Sequence, residues 1–226
     1  MNSGAATRFD AVILAGGRSS RLGGEPKAGL LLEQEPLLVR TLRAAAGAVR
    51  TAVAGPPSLQ TLLDGVAYSG IIVREDPPFS GPAAAVGAAV GALAEISAQT
   101  GDTRSPWTLL LACDMPEAHL AVPALLAAAA EDPSQSVLAV DSAGKTQPLA
   151  ALYRTGDLAE AVASRAEGLA DLSMFSMIAR VQWREVAVPE GSTADVDTWA
   201  DAGKWGIQAG PRAAGVPPGS AAAAKD

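Results

Sequence analysis

A single cysteine, Cys113, in 226 residues leaves no partner for an internal disulfide, so the fold must be held by its core and not by cross-links. Histidine is as scarce: His119 stands alone, with no Cys or His beside it at metal-ligand spacing, which argues against a zinc site of that kind. Its isolation, together with the lack of a GxSxG string, also speaks against a serine nucleophile worked by a histidine base. Aromatic residues make up 4% of the chain against 49% hydrophobic, so the interior has to be packed from Ala, Leu and Val. Basic residues fall short of acidic ones, 17 against 24, for a formal net charge of −7. That balance disfavours a nucleic-acid surface and leaves local basic clusters to attract anions. No run approaches the roughly 18 strongly apolar residues of a membrane span, since the Ala-rich stretch 83–94 is weakly apolar and carries Gly87 and Gly91. The opening MNSGAATRFD shows no basic segment followed by an apolar one. The expectation is a cytoplasmic protein with no membrane partner.

What is present is an alternation. Short β-branched or apolar runs at 11–15, 51–54, 71–73, 108–112, 137–140, 149–153 and 181–188 predict strands, and helical stretches between them fall best at 36–49, 82–97, 122–130, 157–164 and 173–179. Pro36 and Pro82 stand where a first-turn proline is tolerated. Such a pattern predicts an α/β fold, a single Rossmann-like three-layer domain with a mostly parallel sheet and helices on both faces, over residues 1–207. From 208 to 226 Gly, Pro and Ala dominate without periodicity, as expected of a disordered tail that buries too little surface to offset its ordering entropy.

The densest signal is Leu14 to Lys27, LAGGRSSRLGGEPK, directly after the apolar Ala11-Val12-Ile13. Glycines let amide N–H groups approach a ligand without a Cβ in the way, a following helix N-terminus adds partial positive charge, and Arg18, Arg21 and Lys27 add full charges. Arginine grips phosphate oxygens as a fork and lysine acts as a mobile point charge, so the segment suits a triphosphate and its leaving pyrophosphate. A P-loop is excluded because Lys27 follows Pro26 and precedes Ala28, and Gly16-Gly17-Arg18-Ser19 does not fit GxGxxG. In open α/β sheets ligands bind beyond the C-terminal strand ends. Cys113-Asp114-Met115-Pro116 places a carboxylate there, suited either to a hard Mg²⁺ shared with phosphate oxygens or to a helix N-cap. Cys113 itself reads as a small buried apolar side chain, and Trp199 and Trp205 as anchors of the last helix.

The string resembles the signature of the small nucleotidyltransferases typified by the molybdenum cofactor guanylyltransferase: LAGG, then R, a hydrophobic residue, GG and a Lys. It matches at Leu14, Ala15, Gly16, Gly17, Arg21, Leu22, Gly23, Gly24 and Lys27, and departs at Pro26, where the family usually has Asp. The resemblance spans about 11–201. It implies the nucleotide-diphospho-sugar transferase type of fold and transfer of GMP from GTP to molybdopterin cofactor with release of pyrophosphate. Arg21, Lys27 and Asp114 would be catalytic, with Mg²⁺ on Asp114. Leu14, Ala15, Gly16, Gly17, Gly55, Asp76 and Gly81, with Lys27 and Asp114, would bind the nucleotide. Asp76 alternatively reads as the opening of an Asp-Pro loop, and Gly55 offers backbone groups only. Gln147 and Pro148, at a polar-Pro step before a strand, and Asp195 and Asp197, in the closing Asp-Val-Asp-Thr, would bind the second substrate. Gln147 alternatively starts a plain strand, and Asp197 or Thr198 caps the Trp199 helix. The implied partners are GTP and molybdopterin cofactor, with transient contact with molybdoenzymes or other cofactor-biosynthesis proteins, and no nucleic acid. Two alternatives stay open: a related enzyme using CTP or another acceptor, such as a sugar phosphate, and a non-catalytic nucleotide-binding protein of the same fold.

Overall fold

The run FDAVIL forms a central strand because it can be buried from both sides, as a parallel strand covered by helices must be. In chain order the elements of the computed structural model are β1 (Phe9–Leu14), β2 (Leu31–Leu32), β3 (Glu35–Pro36), α1 (Leu37–Ala44), β4 (Thr51–Ala54), α2 (Gln60–Leu63), β5 (Ile71–Val73), α3 (Pro82–Thr100), β6 (Trp107–Ala112), α4 (Val122–Glu131), β7 (Ser136–Val140), β8 (Thr146–Arg154), α5 (Thr155–Ala163), α6 (Met174–Met177), β9 (Trp183–Ala187) and α7 (Trp199–Trp205). The structure describes residues 7–66, 68–165 and 168–210.

The seven-stranded sheet has the order β5-β4-β1-β6-β8-β7-β9. Neighbours are parallel except at β8, which runs antiparallel to both β6 and β7. All seven expected strands are present and the sheet is mostly parallel. Along β1, Ala11 and Ile13 face one apolar cluster and Val12 the other; Leu109 and Leu111 of β6 share the first, and Leu110 the second. This alternation is the period of two that lets one sheet feed two cores. Leu38 of α1 and Val122 and Leu125 of α4 cover the first face. Val86, Ala89 and Leu93 of α3, Leu158 of α5 and Met174 of α6 cover the second.

By length and composition α3 just passes as apolar enough to cross a membrane, with a mean hydropathy of 1.2; its Val86, Ala89, Val90 and Leu93 side is buried in the core. Helix α1 ends at Ala44 and not at 49, because the chain turns at 45–48 to bring the Val49 N–H onto the Phe9 carbonyl, 2.8 Å, and so aligns β4 parallel to β1.

A third cluster decides the position of the site. Leu22, Leu30, Leu32 and Leu37, from the segment after β1, close on Val196, Ala202 and Ile207 from the far end of the chain. Leu31 and Gln208 exchange both backbone hydrogen bonds, 2.8 and 2.9 Å, so the chain is still paired at the first residue of the expected tail; 211–226 lies outside the described residues. Helix α7 is thereby docked under the glycine-rich segment.

Candidate functional site

Leu14 pairs with Ala112 at the C-terminal ends of β1 and β6, and the Cys113 N–H donates to the Leu14 carbonyl at 2.9 Å. The glycine-rich segment and Asp114 therefore emerge side by side. The connection from β1 reaches β4 on one side, and α3 then returns the chain to β6 on the other, so this is the switch point where open α/β sheets bind ligands.

Lys27 is delivered by a short 3-10 turn over Lys27–Gly29 whose N-cap is Pro26, and buried Ala28 fixes its inner side. The lysine ammonium bonds the Asp114 carboxylate at 2.7 Å and the Asp197 carboxylate at 2.5 Å. Pro26 thus leaves Lys27 aimed at the strand-end carboxylate. Asp197 arrives because Val196 is fully buried and its N–H donates to the Asp114 carbonyl at 2.9 Å. Its other oxygen takes Arg21 Nη1 at 3.0 Å. Burial alone would lower the Lys27 pKa, but the Asp114 charge and the hydrogen bonds to both carboxylates outweigh it and raise the value. The Lys27 hydrogen bond holds Asp197 below the ordinary carboxylate range against a smaller opposing effect of burial, helped by the charges of Lys27 and Arg21.

Two cavities open at these strand ends. One, of about 290 Å³, is lined by Leu14, Gly16, Gly17, Lys27, Gly81, Cys113, Asp114 and Leu149 among others. The second, of about 360 Å³, is lined by Ala15, Gly16, Gly17, Gly24, Pro26, Lys27, Gly55, Ser58 and Arg74 among others. Gly17 has φ +129°, a region that L side chains rarely adopt, and a Cβ there would meet nothing within 4 Å, so its backbone faces open space. At Gly55 the reason is contact: a Cβ would lie 2.6 Å from Leu59 Cδ1 and 3.1 Å from the Ala15 carbonyl oxygen. A third cavity, of about 350 Å³ between α1 and the start of β4, involves Arg43, Arg50 and Tyr68, and none of the motif residues reaches it.

Of the residues expected from sequence, Leu14, Ala15, Gly16, Gly17, Lys27, Gly55, Gly81 and Asp114 line one or both cavities, and Asp197 joins them through Lys27. Arg21 is bonded to Asp197 but lines neither cavity. Asp76 is exposed and outside both linings, and the carboxylate that lines both is its neighbour Glu75. Gln147 is buried and donates to Asp141 at 3.1 Å, while the Pro148 carbonyl accepts from Tyr153 at 2.8 Å, so both serve the β7–β8 hairpin and neither lines a cavity. Asp195 faces a separate cleft with Asp201, Lys204 and Trp205. Thr198, not Asp197, caps α7, in a reciprocal box with Asp201. Trp205 packs on the third cluster as expected, whereas Trp199 is exposed. Cys113 is buried, which raises its thiol pKa and keeps it an inert packing group.

Sequence reasoning missed Glu75, Phe79 and Leu149 in the linings. Only Phe79 carried a usable signal, as a large apolar residue in a Pro/Ser/Gly loop of a chain with few aromatics.

The carboxylates meeting on Lys27 number two, and no group of three or more His, Cys, Asp or Glu able to hold a metal exists among the described residues. The protein alone therefore offers no metal cage. The donor set fits Mg²⁺, which takes one or two carboxylates and completes its shell with substrate phosphates and water.

Fold and site together define an α/β domain with a glycine-rich, cation-bearing segment at a sheet switch point. A family model described as the MobA-like NTP transferase domain matches residues 11–181, and the chain belongs to that family. A probable molybdenum cofactor guanylyltransferase of Synechococcus elongatus is 39% identical over 116 residues, 50% of this chain and 54% of that protein. The chain thus matches about half the length of the curated relatives. Among solved structures, molybdopterin-guanine dinucleotide biosynthesis protein A of Archaeoglobus fulgidus superposes with TM-score 0.61 at 17% identity, over 87% of this chain and 96% of that one. A 4-diphosphocytidyl-2C-methyl-D-erythritol synthase of Anaerococcus prevotii gives TM-score 0.60 at 10% identity, over 88% and 95%. At these identities the likeness is one of fold.

Proposed function

We propose that this chain is a Mg²⁺-dependent nucleotidyltransferase that moves GMP from GTP to the phosphate of molybdopterin cofactor and releases pyrophosphate. The observation that carries the reading is the convergence of Lys27, Asp114 and Asp197 beside a glycine-rich segment that lines two cavities. The name of the 39%-identical relatives supports the choice of substrates.

In the reaction an acceptor phosphate oxygen forms a bond to the α-phosphorus, the bond from that phosphorus to the bridging oxygen breaks, and its electron pair leaves on pyrophosphate. The acceptor oxygen is already anionic near neutral pH, so no general base is required. Alignment and charge stabilisation are. Lys27, kept protonated by its two carboxylates, exchanges part of that pairing for phosphate oxygens and stabilises the leaving group. The amides of Ala15 to Gly17 lie along the nucleotide, and Asp114 and Asp197 are the residues that would hold the metal. When bound, Mg²⁺ supplies Lewis-acid polarisation of the phosphoryl oxygens. Arg21 positions Asp197 and adds charge at the rim. Transient docking on molybdoenzymes and a cytoplasmic site of action belong to the same reading.

A second reading keeps the chemistry and changes the base or acceptor. It is favoured by Gly55, which presents no side chain for base discrimination in the 360 Å³ cavity. Pyrophosphate release measured with GTP, CTP, ATP and UTP in the presence of molybdopterin cofactor separates the two: turnover with GTP is expected, and turnover with CTP alone overturns the guanylyl assignment. Triphosphate binding without pyrophosphate release under any pairing would make the chain a non-catalytic nucleotide-binding protein.

A further inference from the structure

Phe79 is large, apolar and 45% exposed, and it lines both cavities. Nothing in core packing accounts for it. It is held in place from below: its backbone adopts φ +67°, its N–H donates to Glu75 Oε1 at 2.8 Å, and the next residue, Ser80, is tied through its hydroxyl to the Pro77 carbonyl at 2.6 Å. Over its ring lie two guanidinium groups, Arg18 from the glycine-rich segment at 5.4 Å from the centroid and Arg74 from the end of β5 at 5.2 Å. Both distances are within the range of a cation–π contact. Among the described residues, neither arginine forms an ion pair with a carboxylate.

Two like charges gathered on one ring, neither paired with a carboxylate although Glu75 lines the same cavities and is turned to the Phe79 N–H, need a reason. A stacked guanidinium is engaged through its face, and its N–H donors lie in the plane at its edge, free to take an anion. An arginine paired with a carboxylate has some of those donors already engaged, as Arg21 has on Asp197. Arg18 lines both cavities and Arg74 one of them, so the anion they await lies where the cavities meet. Two guanidinium groups sharing a ring match a ligand with two linked anionic centres better than a single phosphate.

We propose that Phe79 is a positioning residue that holds Arg18 and Arg74 as a paired clamp for a diphosphate group at the junction of the two cavities. The diphosphate is the β,γ end of the bound triphosphate and then the departing pyrophosphate. In its assignment to a reaction product the inference rests on the nucleotidyl-transfer reading; in its claim that a free diphosphate binds there it does not.

Calorimetric titration with inorganic pyrophosphate in the presence of Mg²⁺ tests it directly, with GMP as a ligand that lacks the diphosphate. Phe79→Leu is expected to weaken pyrophosphate binding about fivefold, the order given by losing two exposed cation–π contacts. It should weaken GMP binding by clearly less than pyrophosphate binding, and Phe79→Trp should restore the wild-type value. In an Arg18→Gln/Arg74→Gln background, Phe79→Leu should have no further effect, because the ring acts only through the arginines. Equal loss of pyrophosphate and GMP binding would show a merely structural role and overturn the clamp. So would unaltered pyrophosphate binding in Phe79→Leu, or no pyrophosphate binding by the wild-type chain. The functional reading is judged by a different measurement: wild-type protein that binds pyrophosphate through Phe79 but turns over no triphosphate keeps the clamp and loses the enzyme.

Discussion

Two cation clusters stand at the same strand ends and are built in opposite ways. Lys27 and Arg21 are bonded to Asp114 and Asp197, anchored by the buried Val196 and Leu22 beside them. Arg18 and Arg74 rest on Phe79 with no carboxylate partner among the described residues. The first cluster is assembled with the fold: its charges offset one another, which permits Lys27 to be mostly buried and still charged. The second stays near solvent and keeps its donors available. On the proposed reading a polyphosphate would meet two kinds of partner, one that must exchange carboxylate for phosphate and one that only has to close.

The comparison breaks first at Lys27. Removing a half-buried, pre-aimed cation from a phosphoryl-transfer site is expected to cost about 10²–10³ in kcat, so Lys27→Ala should all but abolish pyrophosphate release in a steady-state assay. Arg74→Gln, at the exposed cluster, should act chiefly on KM and by less than tenfold. The reverse order would mean that the solvent-facing arginines and not the compensated lysine carry the chemistry. Next in size is Gly55→Ala. Its methyl would meet the Ala15 backbone, and not just the movable end of Leu59, so the segment carrying both clusters has to shift. A loss of about 1–3 kcal/mol in urea unfolding is expected. No change in stability would mean the loop yields without cost.

The fold was legible from the chain because its strands alternate or run apolar and its two longest helices, α3 and α4, are Ala-rich; β1, β6 and α3 need little else. The antiparallel β8 was not, since direction depends on the hairpin closed by Asp141 and Gly144. In the site, Lys27 and Asp114 were readable as charged residues beyond buried strands. Asp197 could not be separated from Asp195 by local pattern, because the choice is made by the Val196 hydrogen bond to Asp114, 82 positions away in sequence. Gln147 looked equally suited to a ligand, yet a register shift at Leu138/Ala139 in the β7–β8 pairing accompanies its bond to Asp141. Glu75 and Asp76 are adjacent carboxylates, and only the turn after β5 decides which faces inward. Glu75→Gln should therefore raise the nucleotide KM more than Asp76→Asn does, and equal effects would return Asp76 to the site.

Asp197→Asn sharpens the contrast from the carboxylate side. Without its charge Lys27 keeps Asp114 and Arg21 loses its partner, so turnover is expected to fall about tenfold. The stability effect has a definite sign. The folded pKa of Asp197 lies below its ordinary 3.8, so its stabilisation is present above that value and is lost as pH falls through the lower folded one. The folded pKa of Lys27 lies above 10.5, so its contribution is full below that and is lost as pH rises through the higher value. Thermal unfolding of wild type against Asp197→Asn should show a steady difference between about pH 5 and 9 that narrows at both extremes. A difference that peaks below pH 4 would contradict the pairing.

The smallest effect expected is at Thr198, and it tests how the compensated cluster is anchored. The Thr198 hydroxyl accepts the Asp201 N–H at 3.1 Å and the Asp201 carboxylate accepts the Thr198 N–H at 3.1 Å, closing the first turn of α7 immediately after Asp197. The Thr198 hydroxyl and the Lys204 ammonium also donate to the Asp201 carboxylate, at 2.7 and 3.0 Å, and chiefly these two bonds hold its pKa down to about 2. Thr198→Ala should cost about 1 kcal/mol of stability, the usual loss of an N-cap. It should change turnover by less than about twofold, because Asp197 is placed by the buried Val196 and not by the helix that follows it. A large drop in turnover with only that modest loss of stability would show that α7, and with it the Leu31–Gln208 pairing, holds Asp197 on Lys27. The compensated cluster would then depend on the whole C-terminal dock and not on one hydrogen bond.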